Sequence, residues 1–182
     1  MAEPNQVTIY EKLTMVSYFQ ALTRILVYPG NFFKELSNEA NFIQPFGCLI
    51  ISGLFFAGAS ATLIHENVIS MIGILLLNAI LMPVITALMS FVIIRIIGVK
   101  GVDFTRIFSV YAYSTSITLM ISWIPLFPLI TEPWRWTLVF LGLTKGCRLR
   151  TIEAFIAMGI TVSILIFFFW ALGLFISYAK AM

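Results

Sequence analysis

Four long stretches of the chain contain no charged side chain: residues 40–64, 67–94, 107–131 and 154–179. Each is long enough to cross a bilayer, which takes about 20 apolar residues in a helix to span roughly 30 Å of hydrocarbon. In lipid a backbone must satisfy its own hydrogen bonds, so runs of this kind fold as helices. Composition agrees: 60% of the 182 residues are hydrophobic, 10% are charged, and the mean hydropathy is +1.02. A soluble domain carries about 25% charged residues, and too few remain here to cover a water-facing surface. The expected fold class is therefore all-α, a polytopic transmembrane helix bundle.

Prolines and glycines refine the spans. Pro125 and Pro128 end the helix of the third run near Trp123. Beyond them a short apolar segment lies between Arg135 and Lys145. Pro133 suits the first turn of a helix, and Gly146 suits the position just past its end. A helix over 133–145 covers only about 20 Å at a rise of about 1.5 Å per residue. It must thin the bilayer, start earlier among residues 126–130, or be re-entrant. The expected spans are thus about 42–64, 68–97, 104–124, 133–145 and 151–179, five in all, within a membrane domain over 41–182.

Charge placement orients them. Lys12, Arg24 and Lys34 precede the first span, Arg95, Lys100 and Arg106 lie between the second and third, and Lys145, Arg148 and Arg150 lie between the fourth and fifth. The opposite side holds only Arg135 and Lys180. By the positive-inside rule the N-terminus is cytoplasmic and the C-terminus outside, provided the short fourth segment crosses. Trp123, Trp134, Trp136 and Tyr178 fall where the outer interface belongs, as interfacial aromatics do. The net charge of +3 is scattered rather than massed, so no nucleic acid is expected as a partner.

Residues 1–40 read as a cytoplasmic N-terminal segment. Residues 1–6 lack the basic and apolar regions of a signal peptide, so the first span serves as its own insertion signal. Met15, Phe19, Leu22, Ile25 and Leu26 recur at helical spacing, with Glu11, Lys12, Gln20 and Arg24 between them. That pattern predicts an amphipathic helix on the inner membrane surface, or one whose apolar face packs on the bundle or a partner. Pro29-Gly30-Asn31 makes a turn, and residues 32–36 form a second short helix. Cys48, in the first span, and Cys147, in a loop, both lie toward the reducing cytoplasm, so no disulfide is expected.

Several motifs now acquire a common source. Pro29, Phe32-Phe33 and Leu36 followed by Pro45, then Gly98, Gly101 and Phe104, then Tyr111-Ala112-Tyr113-Ser114, Trp123 with Pro125, and Leu141-Gly142-Leu143 resemble in order and spacing the Yip domain. This is the Ypt/Rab-interacting protein family of small multi-pass membrane proteins. The resemblance runs from about Tyr28 to the end. It implies five membrane helices with a cytosolic N-terminus, which matches the charge argument made independently. Eukaryotic members are linked to Rab GTPases, vesicle traffic and membrane shaping, whereas prokaryotic members mostly lack an assigned activity. This chain lacks the long soluble N-terminal region and the acidic-aromatic motif of the trafficking members, so a Rab partner is not carried over. The compact form resembles the prokaryotic branch, which places it in a prokaryotic cytoplasmic (inner) membrane.

Chemistry-bearing constellations are sparse. His65 stands beside Glu66 in the first outer loop without a second histidine or a nucleophile. There is no phosphate-binding glycine motif, so neither an enzyme nor a cofactor is expected. Thr151 is expected to cap the last span, with Glu153 facing its positive end. Asp103 is expected to cap the third span, and Glu132 and Arg135 can pair at spacing three. Two groups of residues remain as candidate sites. A cytoplasmic partner-binding face would use Phe32, Phe33, Lys100 and Arg148. An intramembrane polar seam would use Asn78, Pro83, Tyr111, Tyr113 and Ser114, where Pro83 frees the carbonyl of Ala79. Gly53, Ala57 and Ala61 form a small-residue packing ridge. The leading expectation is a non-enzymatic module that organises the membrane or holds a protein partner through its cytoplasmic face. The alternative is a small transporter or channel for a neutral or lipid-like solute. Expected partners are the lipid bilayer and another membrane protein or a second copy.

Overall fold

A computed structural model describes residues 15–36, 41–64 and 67–181. Every element among them is helical: α1 (Met15–Val27), α2 (Pro29–Leu36), α3 (Ile43–Ala61), α4 (Val68–Ile96), α5 (Phe104–Ser122), α6 (Pro128–Leu141), a π turn (Gly142–Gly146) and α7 (Thr151–Ala181). Three of these are long and apolar enough to cross a membrane: α3, α4, and α7 over Thr151–Ala171. They coincide with the first, second and fifth expected spans. The third and fourth exist as helices, but α5 carries many hydroxyls and α6 alone covers only about 21 Å at roughly 1.5 Å per residue.

Helix α5 is the axis of the bundle. Every residue from 107 to 119 is buried, because α3, α4 and α6 pack around it and α1 covers part of the remaining side. Its polar side chains are accommodated chiefly by its own backbone. The hydroxyls of Ser109, Ser116 and Ser122 donate to carbonyls one turn back at 2.7 Å, and Thr118 does so at 3.0 Å to Thr115. Gly53 and Ala57 bring α3 close to α4: a methyl on Gly53 would stand 3.5 Å from the Ala79 Cβ. The ridge therefore packs inside the chain. Helix α7 leans on α4, and of its described side chains only Ala154, Ala157 and Thr161 are buried.

The turn between α4 and α5 explains one motif. Gly98 and Gly101 adopt φ of +89° and +83°, conformations open chiefly to glycine. Val99 N–H donates to the Ile94 carbonyl and Gly98 N–H to that of Arg95, the two bonds of a Schellman cap. The chain then returns so that Phe104 meets Phe91 edge-on, with ring centroids 5.8 Å apart. Asp103 takes the N-cap position of α5, but its carboxylate makes no capping bond.

Besides the Asp103 cap, five expectations need correction. Pro29, Gly30 and Asn31 make no turn but are the first residues of α2, where the missing N–H of a proline costs nothing. Pro133 does not open α6. Pro128 does, because the chain reverses at Leu126 with φ of +73°, and Pro133 lies inside the helix. The element thus begins earlier, one of the three options left open by its short apolar run. Thr151 is not the cap of α7 but its first residue. The Glu153 carboxylate instead accepts the N–H of Arg150 at 2.9 Å, the reciprocal half of a capping box. Helix α1 does not present its whole apolar face to a membrane surface. Tyr18, Ala21, Leu22 and Ile25 are buried, and the Tyr18 hydroxyl bonds Ser52 of α3 at 2.7 Å and reaches the Met120 sulfur of α5 at 3.3 Å. The helix runs along the bundle, leaving Phe19 and Leu26 exposed.

Phe32 and Phe33 are the fifth correction. Both are buried, Phe33 completely, and so are not available to a partner. Phe32 stands edge-on to Tyr113 with centroids 5.1 Å apart. Phe33 sits against the π turn, where a methyl on Gly146 would approach the Phe33 carbonyl to 3.2 Å. The neighbouring Gly142 lies so close to α5 that a Cβ there would be 2.3 Å from Val110 Cγ1. These two glycines let α2, α5 and the end of α6 meet, and they account for the Leu141-Gly142-Leu143 motif.

Candidate functional site: a cavity between four helices

A cavity of about 450 Å³ is lined by α4, α5, α6 and α7, with Phe56 of α3 at its edge. Its volume lies in the range of about 300–1,000 Å³ usual for small-molecule sites. Asn78 and Thr86 from α4, Tyr111, Thr115, Thr118 and Ser122 from α5, and Glu132 and Arg135 from α6 form its polar lining, with Pro83 of α4 beside them. Met82, Leu119, Trp136, Leu165 and Phe169 supply much of the apolar part. Two unlike surfaces therefore share one space.

The polar side chains differ in how far they are satisfied. The Thr86 hydroxyl donates to the Met82 carbonyl, and Ser122 shares a hydrogen bond of 3.0 Å with Thr131, joining α5 to α6. Glu132 and Arg135 form an ion pair of 2.6 Å, with side chains about half and one third exposed (46% and 30%). The Arg135 guanidinium also sits 5.4 Å from the Trp136 ring centre, close enough for a cation–π attraction. The Tyr111 hydroxyl is buried and lies within reach of the Ser90 hydroxyl of α4, outside ideal hydrogen-bond geometry.

Of the expected seam, the structure brings Asn78, Pro83 and Tyr111 together at this cavity. It separates Tyr113 and Ser114 from it. Tyr113 faces Phe32, and Ser114 is buried with its hydroxyl unpaired. The reason is helical geometry: successive residues turn by about 100°, so neighbours in sequence face different helices. The polar lining residues left outside the expected seam are Thr86, Thr115, Thr118, Ser122, Glu132 and Arg135. The spacing of Glu132 and Arg135 signalled the pair but not the cavity beside it. Of the expected cytoplasmic face, Lys100 and Arg148 remain exposed, whereas Phe32 and Phe33 do not. His65 and Glu66 lie outside the described residues. Cys48 and Cys147 are both free thiols and both buried.

No curated protein and no solved structure matches the chain. The family model of the Yip1 domain matches residues 23–173, a stretch that begins in α1 and takes in α2, the whole of α3 to α6, and most of α7. With that match over most of its length, the chain belongs to the Yip1 domain family, and with its long apolar helices it is a membrane protein.

Proposed function

We propose that this chain is a non-enzymatic, five-span protein of a prokaryotic inner membrane that holds a lipid-like molecule between α4, α5, α6 and α7. Helices α3 to α7 are the spans, with the N-terminus cytoplasmic and the C-terminus outside, as the nine-to-two distribution of basic residues favours. The single observation that carries the reading is the cavity itself. It pairs an apolar side with polar groups. An amphiphile has both kinds of surface. Burial of Phe32 and Phe33 removes the aromatic part of a cytoplasmic docking face, and this shifts the balance from partner binding toward a lipid-like solute.

The test is purification of the chain from native membranes in mild detergent, followed by mass spectrometry of what stays bound. Wild type is expected to retain one amphiphile in stoichiometric amount. Leu165→Trp, which adds bulk at the α7 wall of the cavity, is expected to lose it while the protein stays folded. Retention of the same mixed lipids by both proteins would sink the reading.

A second reading keeps one supporting observation. Lys100 and Arg148 are exposed in the loops before α5 and before α7, and they suit an acidic partner at the cytoplasmic end. Recovery of a stoichiometric protein that is lost on Lys100→Glu or Arg148→Glu would favour it.

A further inference from the structure

The chemistry of the cavity narrows what it can hold. Its charged groups are one carboxylate and one guanidinium, Glu132 and Arg135, already 2.6 Å apart. The described lining therefore has no net charge. A purely anionic head group would meet Arg135 but also the Glu132 carboxylate, so part of its attraction would be cancelled. A head group carrying both signs satisfies both residues. Its phosphate takes the planar fork of Arg135, a geometry that arginine offers to phosphate oxygens. Its ammonium takes Glu132.

The lining also says where the rest of the molecule goes. Leu165 and Phe169 of α7 form one wall, and Phe169 is half exposed (49%) on the outer side of the bundle. Helices α6 and α7 touch only slightly, so this wall is open. Acyl chains can leave past Phe169 while the head group stays inside. On these grounds we infer that the cavity is a head-group site for a zwitterionic phospholipid, with phosphate on Arg135, ammonium on Glu132, and the glycerol region reaching toward Asn78 and Tyr111. The inference rests on the lipid-like reading above and sharpens it to one head-group class.

The experiment uses the full chain in detergent, titrated with dihexanoyl phosphatidylethanolamine while tryptophan fluorescence and melting temperature are recorded. Saturable binding with a rise in melting temperature is expected. Arg135→Gln is expected to weaken it roughly tenfold, the worth of one charge-assisted hydrogen bond. Tyr111→Phe, which removes the buried hydroxyl beside Ser90, is expected to weaken it several-fold. Dihexanoyl phosphatidylglycerol, of the same chain length, is expected to bind at least tenfold more weakly. Glycerophosphoethanolamine, the head group without chains, is expected not to compete.

Equal binding of the glycerol and ethanolamine lipids would overturn the head-group assignment and leave the lipid-like reading standing. Competition by glycerophosphoethanolamine as strong as by the lipid would overturn both and point to a soluble phosphate ester. Binding of the ethanolamine lipid that neither Arg135→Gln nor Tyr111→Phe weakens would place it elsewhere and overturn the inference. No binding of any of the three would overturn both.

Discussion

Helices α5 and α7 divide the chemistry of the chain in an unfamiliar way. Helix α5 carries Ser109, Ser114, Thr115, Ser116 and Thr118, and all of them are buried. Helix α7 carries Phe155, Phe167, Phe168 and Trp170, and all of them are exposed. In water the arrangement would be inverted, because apolar surface is expelled. In a bilayer the tails solvate Phe167 as well as a protein core would, so nothing drives it inward. Hydroxyls have no partner in hydrocarbon, so they gather where backbone carbonyls and other helices are. The pair shows that exposure in this chain reports which solvent a helix can tolerate.

The same substitution should therefore act very differently in the two helices. Phe108→Ala is expected to cost ~3 kcal/mol, since Phe108 is wholly buried among Phe42, Phe46 and Phe104 and its removal leaves a void. Phe167→Ala in α7 should cost close to nothing. Unfolding by a denaturing detergent titrated into mixed micelles measures both, and equal losses would break the comparison. Glycine replacement sharpens it. Gly142→Ala forces a Cβ into Val110 and should cost about 1–3 kcal/mol, with Val110→Ala restoring most of the loss in the double variant. Gly159→Ala in α7, where the new methyl meets nothing within 4 Å, should be neutral or stabilising by up to ~1 kcal/mol.

A smaller effect concerns Cys147, just past the π turn. Burial pushes its thiol from 9.0 up to about 12, with Arg106 pulling weakly the other way. The folded state thus holds the proton more tightly than the unfolded chain. The stability this provides is complete below pH 9.0 and fades as pH rises toward about 12. Alkylation at pH 8 should accordingly be slow in the folded protein and fast after unfolding, and a fast reaction before unfolding would contradict the buried placement. Smallest of all is the Arg24–Glu35 pair at 2.9 Å, half exposed on both sides. Glu35→Gln should shift stability by less than about 1 kcal/mol.

Much of this architecture was legible because charge-free length is a strong signal. The bounds expected for the first, second and fifth spans agree with α3, α4 and α7 to within a few residues, except where the first run extends into the loop after Ala61. What misled lay in the short elements. For α1 the periodicity left two coverings open, lipid or another helix, and the structure takes the second for Tyr18, Leu22 and Ile25. Phe32 and Phe33 were expected on a cytoplasmic docking face because they precede the first span. Only the approach of Gly146 and Tyr113 buries them, and those contacts span more than a hundred and about eighty residues of chain. The cavity was half visible for a related reason. Asn78, Pro83 and Tyr111 could be picked out singly as polar or helix-breaking groups in apolar runs, but only the packing of α6 brings Glu132 and Arg135 to them.

The central place of α5 has a consequence for how the protein is made. A helix with this many hydroxyls is a poor independent lodger in lipid, and most of its sides are shielded only by neighbours. Two of them, α3 and α4, precede it in the chain and are already apolar enough to insert. The last, α6, follows it. A nascent chain that has emerged only through Ser122 therefore holds an unfinished axis, sheltered on the α3–α4 side and bare on the other. On the proposed five-span topology, α5 enters the membrane as α3 and α4 pack against it, and synthesis of the short α6 adds its remaining close neighbour.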